Sequence, residues 1–386
     1  MTSQILLPGI LEIGKQAIQS CPKILRQLNC RKPLLITDQV MAKLGYAEQL
    51  QAVLQKETIT CDIYSDTVPE PTESSIVAAV NLVTKNKYDC LIALGGGSPI
   101  DSAKAISVLA QHGGNMRDYK VPRIITEKGI PVIAIPTTAG TGSEMTRFTI
   151  ITDDRNDEKM LCAGPGFLPA AAIIDYTLTL SLPPRTTADT GIDALTHAIE
   201  AYVSKKANAF SDSQALAAMR LIAPNLREVF HNGNNESARE AMMMGATLAG
   251  AAFSAASVAL VHGMSRPIGA QFHVPHGLSN AMLLPKVTEY SIPAAAERYA
   301  DCAKAMGVAH QTDTITVANN KLVDELYKLN QELQVPTPAQ YGIQEADYFQ
   351  RLELMADQAI ASGSPGNNPG EISKDEIIAI YRSIWA

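Results

Sequence analysis

Asp193 and His197 stand four residues apart in TGIDALTHAIE, residues 190–200. In a helix that spacing puts both on one face, with Cβ atoms roughly 5–6 Å apart, close enough to hold one cation. Two later segments add imidazoles: VHGMSR carries His262, and FHVPHG carries His273 and His276. Four of the seven histidines in the chain therefore fall in three short segments. One carboxylate with up to three imidazoles is a mixed oxygen and nitrogen donor set suited to Fe(II), Zn(II) or another mid-row divalent metal. On chemistry alone, His273 and His276 compete for the last place. An Asp-x3-His pair taken singly is most often a plain helix-surface pair, so the weight rests on the segments together.

A second group of residues suits a phosphate. The apolar run CLIAL, residues 90–94, opens directly into Gly95, Gly96, Gly97, Ser98, Pro99, Ile100 and Asp101. Three glycines in succession let backbone N–H groups approach an anion closely. Ser98 fits a helix N-cap, Pro99 the first helical position, and Asp101 the reciprocal place in a capping box. A helix that opens there turns partial positive charge toward an anion. Asp38 ends an earlier apolar run, where a carboxylate can accept hydrogen bonds from a ribose diol and repel a 2′-phosphate. A third run, PVIAI, empties into PTTAGTGSE, residues 136–144, a loop of small and hydroxyl-bearing residues. Ligands of open α/β sheets sit beyond the carboxyl ends of the strands, so these loops share the right address. The order is not that of the usual dinucleotide fingerprint, in which the glycines follow the first strand and the acid comes about 20 residues later.

The elements that must position these residues alternate in the first half of the chain. Apolar runs at residues 33–37, 61–64, 90–94 and 131–135 are separated by helical-period segments such as 47–56 and 76–85. Further extended pieces follow at 148–152 and 171–175. Short apolar runs between helices predict a parallel sheet covered on both faces. After LPPR, residues 182–185, the pattern predicts helices over 190–202, 211–230, 236–261, 294–306, 316–329 and 374–385. This gives an α/β nucleotide-binding domain over 1–184 and an all-α domain over 185–386, with a cleft between them as the expected place for a ligand.

Composition narrows the classes. The 386 residues carry 32 Lys+Arg against 39 Asp+Glu, a net charge of −7, and no basic stripe with interleaved aromatics, which argues against nucleic acid as a partner. Six scattered cysteines form no C-x-x-C pair and no zinc-ribbon spacing. With no signal-peptide pattern at the N-terminus, they read as reduced thiols in the cytoplasm. Residues 241–265 lack Asp, Glu and Lys and Arg. Their Ala, Gly, Ser and Met content reads as close helix packing in a core rather than a membrane span.

Taken together, GGGSPID at 95–101, PTTAGTGSE at 136–144, GIDALTHAIEAYVS at 191–204, VHGMSRPIGAQFHVPHG at 261–277 and NNP at 367–369 resemble the iron-containing (group III) alcohol dehydrogenase family along nearly the whole chain. The resemblance implies a dehydroquinate-synthase-like fold, with the nucleotide in the N-terminal domain and the metal at the cleft. It implies Asp193, His197, His262 and His276 as metal ligands, with Fe(II) the expected ion and Zn(II) the other candidate. Asp38 would meet the adenosine ribose, and Gly95, Gly96, Gly97 and Ser98 the pyrophosphate, at the turn that Asp101 closes. Thr137, Thr138, Thr141 and Ser143 would lie along the phosphates and nicotinamide, and Lys159 would reach a cofactor ribose. The implied reaction is hydride transfer between an alcohol, or its aldehyde or ketone, and NAD, centred on His262, Arg266 and His276, in a homodimer or larger oligomer. A transhydrogenase of the same fold, and a metal- or nucleotide-binding protein without turnover, are the alternatives. Three positions depart from the family pattern: Glu70, where Asn is frequent; Gly370, where Arg is common; and Arg266, where many relatives have a histidine.

Overall fold

The apolar runs of the first half become six parallel strands: β1 (Ile10–Ile13), β2 (Pro33–Ile36), β3 (Asp62–Tyr64), β4 (Cys90–Gly95), β5 (Val132–Pro136) and, later in the chain, β8 (Ala171–Ile174). The structure is a computed structural model that describes residues Thr2–Ala386. Strands β2, β4, β5 and β8 are buried along their whole length, as a sheet covered on both faces requires. Their side chains divide by alternation: Leu34, Ile36, Leu91 and Ala93 enter one core cluster, and Leu35, Ile92 and Leu94 the other. Helices α4 (Glu73–Asn86) and α5 (Gly97–His112) supply Ile76, Val83, Ile100 and Ile106 to the first cluster. Helices α1 (Cys21–Gln27) and α3 (Tyr46–Gln55) supply Leu25, Leu50 and Leu54 to the second, and the short α2 (Gln39–Lys43) follows β2.

The strand order is β1-β8-β5-β4-β2-β3. From β2 the chain goes first to β3 on one side and then to β4 on the other, so the crossovers diverge at the carboxyl ends of β2 and β4. Such a switch point opens a crevice for a ligand. Asp38 and Gly95 stand there, and Thr37 Oγ1 donates to the Leu94 carbonyl at 2.7 Å, tying the two strand ends together. An antiparallel pair, β6 (Phe148–Asp153) and β7 (Glu158–Ala163), lies outside this sheet. Strands β1 and β7 escape the sequence pattern. β1 is a four-residue edge strand whose alternate residues Leu11 and Ile13 are exposed, so it offers no buried run to recognise.

By compactness, Leu6–Ser181 form one unit, and Leu182–Ala386 together with the N-terminal residues up to Ile5 form the second. The second unit is built of helices: α6 (Pro184–Val203), α7 (Ala209–His231), α8 (Glu236–Ala256), α9 (Leu260–Phe272), α10 (His276–Ser291), α11 (Ala296–Ala305), α12 (Ile315–Glu332), α13 (Pro338–Tyr341), α14 (Glu345–Gln350), α15 (Leu352–Ala361) and α16 (Lys374–Ser383). The helix predicted over 236–261 is in fact broken. It stops at Ala256, Ser257 takes a left-handed φ of 66°, and α9 leaves at 104° to α8. Asn367 of the NNP segment holds this corner, its Nδ2 donating to Ser257 Oγ at 3.1 Å and to the Val258 carbonyl at 2.9 Å. The charge-free stretch owes its small residues to packing: a Cβ on Gly245 would come within 2.6 Å of Ile222 Cγ1. No single helix among the described residues is long and apolar enough to cross a membrane.

Candidate metal and nucleotide sites

Helix α6 carries Asp193, His197 and Glu200 on one buried face, at the spacings that bring residues onto the same side of a helix. The corner after α8 directs α9 so that His262 meets them. Helix α10 begins with His276 and adds the buried Asn280 one turn later. One ligand atom each from Asp193, His262 and His276 lies within 4.8 Å of the other two. Asp193 Oδ1 is 3.5 Å from His262 Nε2, 3.7 Å from His276 Nε2 and 3.8 Å from His197 Nε2. His197 stands just outside the tight trio and stacks on His262, with ring centroids 4.4 Å apart, and on Phe253 at 4.2 Å.

Glu200 fixes the orientation of His262. Its Oε2 accepts from His262 Nδ1 at 2.6 Å, and its Oε1 from the Val261 backbone N–H at 2.6 Å. A carboxylate can only accept, so Nδ1 carries the proton and Nε2 turns a lone pair toward Asp193. Burial pushes the Asp193 carboxyl up, but the neighbouring imidazoles of His197, His276 and His262 overcome this and hold it well below the usual carboxylate range. For His262, burial disfavours the charged ring, yet Glu200 and Asp193 raise its pKa above the ordinary imidazole value.

The residues fit a cation. Asn280 Nδ2 donates to Asp193 Oδ1 at 2.7 Å and lies 3.2 Å from His262 Nε2 and 3.3 Å from His276 Nε2. Three acceptor atoms on three helices thus converge on one electropositive group, while the Asn280 Oδ1 is buried without a partner. His273, the competitor of His276 in the sequence, caps the end of α9 with an exposed ring and stands apart from the trio.

On the nucleotide side, α5 begins at Gly97 with Gly96 as its N-cap, and no side chain caps it. The capping box expected at Ser98 and Asp101 is therefore absent. Ser98 Oγ instead accepts from the Glu70 backbone N–H at 3.1 Å. Asp101 is committed elsewhere because its two oxygens accept from Ser143 Oγ at 2.6 Å and the Ile150 N–H at 2.9 Å. Lys104, one turn on, is fully buried. Its Nζ donates to the Ser143 and Phe148 carbonyls at 2.7 Å each, to Ser143 Oγ at 2.9 Å and to Thr146 Oγ1 at 3.0 Å. Burial drives this ammonium down to about 8, against support from Asp101 and Glu144.

These bonds draw the loop after β5 onto the glycine turn. A Cβ on Gly97 would come within 2.9 Å of Thr141 Cγ2, so glycine is required for the approach. The Thr137 and Thr138 hydroxyls are left buried with no hydrogen-bond partner, as a pair waiting for an acceptor would be. Lys159 Nζ pairs with Glu70 Oε2 at 2.8 Å, so the Glu70 departure from the family pattern supplies a partner for that lysine. Asp38 caps α2, with Oδ1 accepting from the Val40 and Met41 N–H groups at 2.8 Å each.

Three residues of these sites carry no assignment in the sequence reading: Glu200, Asn280 and Lys104. Glu200 was findable, since it lies three residues after His197 and seven after Asp193, on their helix face. Asn280 follows His276 by four in the same way. Lys104 gives no signal, because a lysine on a helix reads as a solvated charge.

A doubly wound nucleotide-type sheet and a helical unit with a convergent carboxylate–imidazole cluster define a metal-linked dehydrogenase architecture. Residues 8–176 match the family model described as iron-containing alcohol dehydrogenase, and residues 187–385 match that for the Fe-containing alcohol dehydrogenase family, C-terminal. The chain belongs to the iron-containing alcohol dehydrogenase family and is an alcohol–carbonyl oxidoreductase. It is 38% identical over 389 residues to long-chain-alcohol dehydrogenase 1 of Geobacillus thermodenitrificans, covering 100% of this chain and 97% of that one. It is 34% identical to the NADPH-dependent butanol dehydrogenase of Clostridium saccharobutylicum, covering 98% and 97%. The solved structure of a 1,3-propanediol oxidoreductase superposes with a TM-score of 0.95 at 33% identity over 100% of both chains.

Proposed function

We propose that this chain is an NAD-dependent alcohol dehydrogenase or aldehyde reductase that works with Fe(II) held by Asp193, His197, His262 and His276. The observation that carries this reading is the convergence of Asp193, His262 and His276 on one point, with His262 oriented by Glu200. A divalent cation there supplies Lewis acidity toward an alcohol or carbonyl oxygen, and the nicotinamide takes or gives the hydride. The chain's own work is positioning. Glu200 keeps the His262 lone pair aimed at the cluster. His276, whose side chain is 33% exposed against 2% for Asp193 and His262, forms the solvent edge of the trio.

Gly95, Gly96, Gly97 and Ser98 offer backbone amides at the start of α5 to a pyrophosphate. The Thr137 and Thr138 hydroxyls face the same loop, and Thr141, Ser143 and Asp101 hold it in place. Lys159 is assigned to the cofactor ribose. Asp38 places a carboxylate at the end of β2, where the extra phosphate of NADP would meet like charge. A homodimer is supported by the edge strand β1, with Leu11 and Ile13 exposed along it and Leu7 exposed just before it. The six buried, free cysteines are consistent with a reducing cytoplasm.

The test is the absorbance of reduced nicotinamide over a panel of alcohols and aldehydes, using chelated protein reloaded with Fe(II) or Zn(II). We expect turnover restored by Fe(II) and both metal and activity lost in His262→Ala. Full metal occupancy in His262→Ala overturns the ligand assignment. NAD is expected to be preferred over NADP by about 1–3 kcal/mol, with Asp38→Gly narrowing the gap. Equal efficiency with both cofactors in the unmodified protein overturns the role of Asp38.

A further inference from the structure

Arg266 lies on α9 four residues after His262, one turn along the same face. Cα–Cβ bonds lean toward a helix N-terminus, so its side chain runs back over the turn that carries His262. The guanidinium is deeply embedded, yet the residue as a whole keeps a share of accessible surface.

Its donors are largely unused. Nη1 donates to Ser364 Oγ at 3.0 Å, Nε is buried without a partner, and no carboxylate among the described residues forms an ion pair with it. Glu200 is the acid whose charge reaches it, but both oxygens of Glu200 are taken by Val261 and His262. Asp193 is likewise engaged with Asn280 and the imidazoles. Burial draws the guanidinium down to about 10, which still leaves it cationic at neutral pH.

A structural arginine in the same unit looks different. Arg239, also buried, spreads its donors over the Gly233 carbonyl at 2.8 Å, Thr187 Oγ1 at 3.0 Å and the Leu182 carbonyl at 3.5 Å. Arginine presents five N–H donors in a planar fork matched to oxyanions, and leaving them unmet in a buried place is unfavourable. It also cannot replace a histidine as a proton relay, because it does not release its proton.

We propose that Arg266 is a specificity-determining residue that receives an anionic group, such as a carboxylate or sulfonate, borne by the substrate. The favoured substrates are then short hydroxy acids and the matching oxo acids rather than plain alkanols. One helical turn rises about 5.4 Å, so a linker of about two to four atoms joins the anion to the reacting carbon. This rests on the dehydrogenase reading and on the cluster of Asp193, His262 and His276 as the reacting centre.

The test compares γ-hydroxybutyrate with n-butanol in wild type, Arg266→Leu and Arg266→Lys, with metal content measured in each. We expect the kcat/KM ratio of acid to alkanol to fall about 10–100-fold in Arg266→Leu, through KM for the acid, with partial recovery in Arg266→Lys. An unchanged ratio overturns the proposal, and so does a rise in KM for NAD alone, which would assign Arg266 to the cofactor phosphates. A binding readout separates this from failure of the dehydrogenase reading. Should wild type oxidise neither compound, γ-hydroxybutyrate should still raise its melting temperature and not that of Arg266→Leu. Equal protection of both proteins, or of neither, refutes the anion site.

Discussion

On the nucleotide side, the groups offered to a ligand are backbone amides and the Thr137 and Thr138 hydroxyls. In the helical unit they are imidazoles and a carboxylate carried by α6, α9 and α10. The ionisable residues near the glycine turn mostly face each other: Asp101 and Lys104 form a buried brace that Ser143 bridges. Those of the helical unit face the point where a cation would sit. The first site therefore depends on what supports a backbone, and the second on what aims a side chain. Substitutions that remove aim and substitutions that remove support should fail in different assays.

Among substitutions outside the ligand set, Glu200→Gln is expected to produce the largest functional change. The amide keeps the shape, but one of the two acceptors serving Val261 and His262 becomes a donor and the charge is lost. Outer partners of this kind typically contribute about 10–100-fold in metal affinity. Titration of chelated protein with Fe(II) should show the loss, with nucleotide affinity little changed. Metal affinity equal to that of wild type would break the distinction between the two sites.

Lys104→Met tests the support side. Four acceptors lose a charged donor, and we expect about 1–3 kcal/mol of unfolding free energy to go with it, together with weaker nucleotide binding and ordinary metal content. The ammonium titrates near 8 in the folded protein against 10.5 for a free lysine. Between those values the unfolded chain binds more protons, so unfolding free energy of the wild type rises with pH through this window. The mutant lacks that contribution. Denaturant unfolding at a series of pH values should show the difference shift in favour of wild type from about pH 8 upward. A difference independent of pH means that Lys104 is neutral or solvated throughout.

The same contrast explains what could be read in advance. The fully buried strands declare themselves as unbroken aliphatic runs, because a sheet covered on both faces needs them. The glycine turn and the Thr-rich loop stand out because small residues at strand ends have few other reasons to cluster. Asp193 and His197 are visible from helical spacing, but that His262 and His276 join them depends on the corner after Ala256. That corner rests on one left-handed serine and on Asn367, more than a hundred residues away in the chain, and local periodicity carries no trace of it. The Lys104 brace is hidden for a related reason. Its four acceptors lie in a loop some forty residues on, and three of those bonds end on carbonyls or on Thr146, whose identities say nothing about a lysine.

His273→Ala should be the mildest of these changes, and it tests whether proximity in sequence to a ligand has any consequence without aim. His273 sits only three residues before His276, yet its exposed ring belongs to the left-handed residue that ends α9, at φ 54°. Its backbone carbonyl, which accepts from Tyr341 Oη at 3.4 Å, survives the substitution. Alanine is somewhat less at ease than histidine in the left-handed region, so a loss of a few tenths of a kcal/mol, within about 0.5, is expected in stability. Metal affinity should stay within about twofold of wild type, since a surface change away from a site moves little. His273→Gly, which relieves the backbone, should recover the stability and leave metal affinity where it was. A tenfold loss of metal in both variants would mean that His273 rather than His276 completes the cluster, and the convergence on Asp193 would need another explanation.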